Sequence, residues 1–275
     1  MVNILVPTDF SDLSRGSIEY AIRIANQLDG NITLLHVINI MQPTRASTRL
    51  KLHSLEREMV KDAKEDFAKL LDEVTKQVKT TQPVKYKVVK GASFNDTVKN
   101  QAKRLRTGLI IMSTRGASGL RKYVMGTNTA SIIGISPVPV LAVPEEATFK
   151  SFKTVVYATD MQHLEKEIKA LMPYLEKFQS HVHLIHVVPS NKDIAAIEAK
   201  IDKVIMKTGF KNVIVRMLVN ENVDVAIDNY VKASKADLLT MFTHEKSFYE
   251  KLFNRSITKR MAFQSKLPLL AFRQK

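Results

Sequence analysis

The sequence predicts an α/β protein of two tandem doubly wound domains, each a five-stranded parallel sheet flanked by helices. Three observations lead there. Apolar runs of strand length alternate with amphipathic stretches of helix length, the pattern of β-α-β units. Runs such as Ile4-Leu5-Val6 and Leu109-Ile110-Ile111-Met112 are continuously apolar, as in strands buried on both faces. The same order of segments then recurs in the second half of the 275 residues.

In the first copy, Val2 to Val6 reads as a strand that empties into Pro7-Thr8-Asp9-Phe10-Ser11. Ser11, Asp12 or Ser14 can cap a helix running to about Leu28, with Ile18, Ala21, Ile22 and Ala25 on one apolar face. Asp29-Gly30-Asn31 is a turn, and Ile32 to Ile38 is the second strand. A long polar helix follows, from about Thr48 to Lys79, striped by Leu55, Met59, Ala63, Phe67, Leu70, Leu71 and Val74. Val84 to Val89 is a third strand with Lys85 and Lys87 alternating outward. Ser93 caps a helix over Phe94 to Arg106, and Leu109 to Met112 is the fourth strand. Pro137 to Val143 closes the copy, its prolines suggesting a sheet edge.

The fourth strand leads into the stretch around which the chain is organised. Ser113-Thr114-Arg115-Gly116 is followed by nine residues, Ala117 to Met125, and then by Gly126-Thr127-Asn128 at a helix start. Glycine lets a backbone approach an anion closely. The unpaired N–H groups of a helix start face the anion, and the helix dipole favours its charge. Thr127 or Asn128 is a natural N-cap. The stretch reads as a seat for the phosphates of a nucleotide, against the plainer reading of a loop-to-helix turn. In a parallel sheet, ligands sit beyond the carboxyl ends of strands where the strand order reverses. Asp9, Val37 and Met112 to Gly116 all fall at expected strand ends and can converge.

The repeat is explicit. Ile4 to Asp9 returns as Val155 to Asp160, Leu34-Leu35-His36-Val37 as Leu184-Ile185-His186-Val187, Leu109 to Met112 as Leu238 to Met241, and Pro139 to Ala142 as Pro268 to Ala271. The offset is 151 at Asp9, 150 at His36 and 129 at Met112. The second copy is therefore 21 residues shorter between its second and fourth strands, which fits a shorter middle helix over about Lys192 to Lys207. The boundary falls near Pro144 to Lys153, giving domains 1–147 and 148–275. At the offset of 129, Gly116 becomes Glu245 and Gly126 becomes Arg255. A glutamate repels phosphate and a side chain blocks close approach, so only the first copy is expected to bind a nucleotide.

Composition bounds the function classes. Hydrophobic content of 45% and charged content of 25% are those of a globular protein. The absence of cysteine excludes disulfides, thiolate nucleophiles and Cys-based metal sites. Met1-Val2-Asn3 runs straight into the first strand without a signal-peptide pattern, and no apolar stretch reaches the length of about 18 residues that spans a bilayer. A cytoplasmic protein without a membrane span is expected. The formal net charge of +15 raises nucleic acid as a partner. The excess is spread evenly, with 21 Lys+Arg against 14 Asp+Glu in residues 1–147 and 21 against 13 in residues 148–275. No dense basic run exists, and nucleic acid is not the expected partner.

These residues resemble the universal stress protein superfamily in its tandem two-domain form. The likeness covers essentially the whole chain. Val6-Pro7-Thr8-Asp9-Phe10-Ser11, Leu34-Leu35-His36-Val37, the glycine loop and Pro139 to Val143 carry it. The resemblance implies the strand order 3-2-1-4-5. It implies that Asp9 lies near adenine and ribose, that Val37 meets adenine through its backbone, and that Met112, Gly116, Gly126, Thr127 and Asn128 surround ribose and phosphates. The full nucleotide-binding set is then Pro7, Thr8, Asp9, Val37, Met112, Ser113, Arg115, Gly116, Gly126, Thr127 and Asn128. Nucleotide-binding members carry Gly-x-x-Gly, nine residues, then Gly-Ser/Thr; here Ser113 stands where the first glycine falls.

The expected ligand is ATP, or ADP or AMP, with or without Mg. The expected role is a stress-response sensor or signalling module. The alternatives are an interaction scaffold with a vestigial site, and a slow ATPase. No Gly-x-Ser-x-Gly, His-Glu-x-x-His or phosphate-loop lysine occurs, and no catalytic residue or metal site is assigned. His36 and His186 occupy matching positions and read as structural. The two copies are expected to pack as an intramolecular pseudo-dimer through their last strands, with a homodimer and an unidentified protein partner as further expectations.

Overall fold

The computed structural model describes residues 1–39, 46–114, 127–243 and 267–273. It divides into two units, Met1–Glu145 and Glu146–Lys275. In the first, strand β1 (Asn3–Pro7) leads to helix α1 (Asp12–Leu28), β2 (Asn31–Asn39), α2 (Ala46–Gln77), β3 (Lys85–Gly91), α3 (Phe94–Arg104), β4 (Leu109–Ser113), α4 (Thr127–Ile135) and β5 (Val140–Val143). The strands are parallel, in the order β3-β2-β1-β4-β5.

That order fixes where a ligand can bind. The chain moves outward from β1 to β3, then returns to β4 on the other side of β1. Right-handed crossovers put the helices of the two excursions on opposite faces. Accordingly α1 packs with α2, and α3 packs with α4. The strand order reverses between β1 and β4, the position at whose carboxyl ends such sheets bind ligands.

Local chemistry sets the element ends. Ser11 is the N-cap of α1, its hydroxyl accepting from the Ser14 N–H at 3.3 Å. Asp29 ends the helix in the left-handed region at φ 50°. Gly30 follows because β1 passes so close that a Cβ there would lie 2.9 Å from the Val2 carbonyl oxygen. Ser93 caps α3 by accepting from the Asp96 N–H at 3.3 Å. The core of the sheet is Ile4, Leu5, Val6, Leu34, Leu35, Ile110 and Ile111, each at most 1% exposed. Each such side chain contributes about 1.5–3 kcal/mol on burial.

Three expectations need correction. The apolar stripe of α2 is buried at Ala63, Phe67, Leu70 and Val74, but Leu55 and Met59 are 51% and 39% exposed. A helix of 32 residues is about 48 Å long, whereas the nine residues of β2 span about 30 Å. The start of α2 therefore overhangs the sheet. Helix α3 stops at Arg104, since Arg106 turns left-handed at φ 48° and the Thr107 N–H returns to the Ala102 carbonyl. Strand β5 begins only at Val140, after the two prolines that cannot donate to a ladder.

The second unit repeats the plan with β6 (Thr154–Ala158), α5 (Leu164–Phe178), β7 (His181–Val188), α6 (Ile194–Thr208), β8 (Val213–Val219), α7 (Val223–Ser234), β9 (Leu238–Thr243) and β10 (Leu269–Arg273). Its parallel order is β8-β7-β6-β9-β10. The middle helix α6 has 15 residues against the 32 of α2. Ile201 is its one buried side chain. No helix of the described residues is long and apolar enough to cross a membrane.

Candidate functional site

The exit from β1 is built by hydrogen bonds rather than by bulk. The Thr8 N–H continues the ladder to β2 through the Leu35 carbonyl at 2.9 Å. The Thr8 side chain is buried; its hydroxyl lies 2.9 Å from that of Ser14 and accepts from the Phe10 N–H at 3.1 Å. Phe10 takes the left-handed conformation at φ 63°. Its ring lies 4.6 Å from His36 and meets Phe67 edge-on at 4.8 Å. Between these anchored residues Asp9 is turned out to solvent.

Asp9 is held as an anion. Its Oδ1 accepts from the Ser11 hydroxyl at 2.6 Å and the Ser11 N–H at 3.1 Å. Burial acts against the charge. The Ser11 hydroxyl and N–H, helped by the Ser14 hydroxyl, outweigh it and keep the Asp9 carboxyl below its ordinary range.

His36 sets the other wall. Its Nδ1 lies 2.9 Å from the Thr8 carbonyl oxygen, which can only accept, so Nδ1 carries the proton. Val37 follows. The register between β1 and β2 ends at Pro7↔Leu35. By strand alternation Val37 shares the side of Leu35, where β1 has already turned away.

Strand β4 lies beside β1, with Ile4↔Leu109 and Leu5↔Ile110 in register. Met112 is buried and Ser113 half-buried at its end. The Ser113 carbonyl accepts from the Thr129 hydroxyl at 2.7 Å, which ties the first turn of α4 over the end of β4. Thr127 and Asn128 are exposed in that turn; they lie inside the helix rather than at its cap. The first N–H groups of a helix have no partner within it. Pro7, Thr8, Asp9, Val37, Met112, Ser113, Thr127 and Asn128 thus lie on the carboxyl edge of neighbouring strands or at the helix start beside them. Arg115, Gly116 and Gly126 lie outside the described residues.

The second unit repeats the turn. The Thr159 N–H reaches the Ile185 carbonyl at 3.1 Å, and the Thr159 hydroxyl accepts from Met161, left-handed at φ 70°. His186 Nδ1 donates to the Thr159 carbonyl at 2.8 Å. Asp160 Oδ1 accepts from the Gln162 N–H at 3.0 Å.

What surrounds this second turn differs. Phe242, at the position of Ser113, is buried and stacks on Phe272 at 4.6 Å, with Tyr157 edge-on at 5.9 Å. Glu167, at the position of Gly16, is buried and accepts from the Tyr157 and Thr159 hydroxyls. Burial and the Glu167 carboxylate push the Tyr157 phenol well above its ordinary range, so it remains a donor. Sequence reasoning did not single out this aromatic and acidic filling. Its signal is the exchange of Val6 for Tyr157 and Ser113 for Phe242 between the copies. Glu245 and Arg255 lie outside the described residues.

The first unit is a doubly wound α/β unit whose strand order reverses between β1 and β4. Residues 1–144 match the model of the universal stress protein family, and the chain belongs to that family. It is 27% identical to universal stress protein Slr1230 of Synechocystis sp., covering 99% of this chain and 100% of that protein. It is 27% identical to universal stress protein MJ0531 of Methanocaldococcus jannaschii, covering 51% of this chain and 80% of that one. The crystal structure of a universal stress protein from Archaeoglobus fulgidus superposes with a TM-score of 0.69 at 16% identity, covering 99% of this chain and 98% of that one. That likeness shows a common fold across both units.

Proposed function

We propose that the first unit binds an adenine nucleotide and that the protein signals stress through the occupancy of this site. The observation that carries the reading is the meeting, at adjacent strand ends, of the ionised Asp9 turn with the start of α4 tied to Ser113. Asp9 and Val37 would face the base and ribose. Met112, Ser113 and the N–H groups near Thr127 and Asn128 would face ribose and phosphates, with Arg115, Gly116 and Gly126 completing the seat. The carboxylate suits a ribose hydroxyl as donor, and a helix start suits a phosphate. The second unit, with aromatic rings at the matching strand end, is assigned no nucleotide.

Calorimetric titration of ATP into nucleotide-free protein tests this. One site per chain is expected, and Gly116→Glu, which copies the second unit, should abolish it. No heat at millimolar ATP would overturn the reading. It would favour a scaffold with a vestigial site, the alternative that Ser113 in place of the motif glycine supports.

A further inference from the structure

The middle helix of the second unit, α6, has 15 residues where α2 has 32. In the first unit Phe10 packs against Phe67 of α2. The counterpart of Phe10 is Met161, and the loop it begins, the first turn of α5 and one side of α6 line a groove of about 550 Å³. That volume is in the range of small-molecule sites. Met161, Leu164 and Val204 give it apolar wall, and Lys166, Lys169 and Lys200 give it ammonium groups.

The charge is unbalanced. Glu165 is the carboxylate in the lining, and it is already engaged, at 2.8 Å by Lys169 and at 2.7 Å by Lys207. Those two hydrogen-bonded ammonium groups hold its carboxyl down at about 2, so it stays committed to them. Lys166 and Lys200 have no ion pair among the described residues. Three lysines line the groove beside an apolar wall, and the one carboxylate of the lining is already held by Lys169 and by Lys207 from outside it, an arrangement that rewards an anion with a hydrophobic body.

We propose that this groove is a second ligand site, separate from the nucleotide site, that takes a small organic phosphate. Its apolar body lies on Met161, Leu164 and Val204, and its phosphate lies between Lys166 and Lys200. The site is independent of the first-unit reading, because none of its residues belongs to that unit.

The test titrates 1-naphthyl phosphate into the full chain and follows naphthyl fluorescence, which no tryptophan obscures. 1-Naphthol and inorganic tripolyphosphate serve as the uncharged and the purely ionic arms. Saturable binding of the ester is expected, tighter than either arm. The Lys166→Glu/Lys200→Glu double variant should weaken it about tenfold or more, reversing two exposed charges at the ligand. Both side chains are exposed, so the melting temperature of that variant should hold. Its ATP titration should match wild type, while Gly116→Glu should leave ester binding intact. Tripolyphosphate binding as well as the ester would overturn the proposal in favour of a bare charge patch. Unchanged ester affinity in the double variant would overturn it equally.

Discussion

His36 holds the Thr8 carbonyl by its Nδ1 at 2.9 Å, and His186 holds the Thr159 carbonyl in the same way at 2.8 Å. The bond survives in a unit where Phe242 stands in place of Ser113, so its first duty is to the fold. It fixes the peptide that precedes the turn, and Asp9 is the next residue.

His36→Ala removes this bond and the ring under Phe10. Denaturant unfolding should show a loss of about 1–3 kcal/mol, the cost of a missing buried partner. Nucleotide affinity should fall with it, because the turn carrying Asp9 loses its anchor. His186→Ala should cost similar stability without touching nucleotide affinity.

Asp9→Asn should weaken nucleotide binding while leaving the turn formed. It should also change acid behaviour. A carboxyl held low in the folded state contributes stability that is fully present above its unfolded value, about 3.9. That contribution is lost as pH falls through the lower folded value. Wild type should therefore lose stability over that interval more steeply than Asp9→Asn, as read from unfolding midpoints between pH 5 and 2.

Gly30→Ala puts a methyl group 2.9 Å from the Val2 carbonyl oxygen, with the Ile4 side chain at 3.2 Å. A backbone atom cannot swing aside, so strands must shift. A loss of about 1–3 kcal/mol is expected from chemical denaturation.

Phe242→Ser restores the first-unit residue to the second unit. It should cost about 3–5 kcal/mol, the range for removing a buried aromatic ring. It should create no nucleotide binding in calorimetry, since Tyr157 and its partner Glu167 remain.

Strand and helix order, the capping serines Ser11 and Ser93 and the duplicated turns are legible in the sequence, because each rests on local pattern. Less legible is what depends on one element measured against another. Leu55 and Met59 obey the helical period of α2 yet are exposed, because helix and sheet differ in length. Thr8 is an ordinary polar residue in the sequence, whereas its burial against Ser14 comes from folding. Glu167 sits in an amphipathic stretch whose inward face is apolar; the Tyr157 and Thr159 hydroxyls opposite explain it.

Ser11 has two commitments: its hydroxyl proton goes to Asp9, and its lone pair takes the Ser14 N–H that opens α1. A ligand hydroxyl that draws on the Asp9 carboxylate competes for the oxygen that orients Ser11. Such a ligand would act on the Ser14 N–H through the Ser11 hydroxyl. Deuterium uptake at that amide becomes a reporter of ligand without any gross rearrangement. Serine at position 11 thereby couples the Asp9 carboxylate to the opening turn of a seventeen-residue helix.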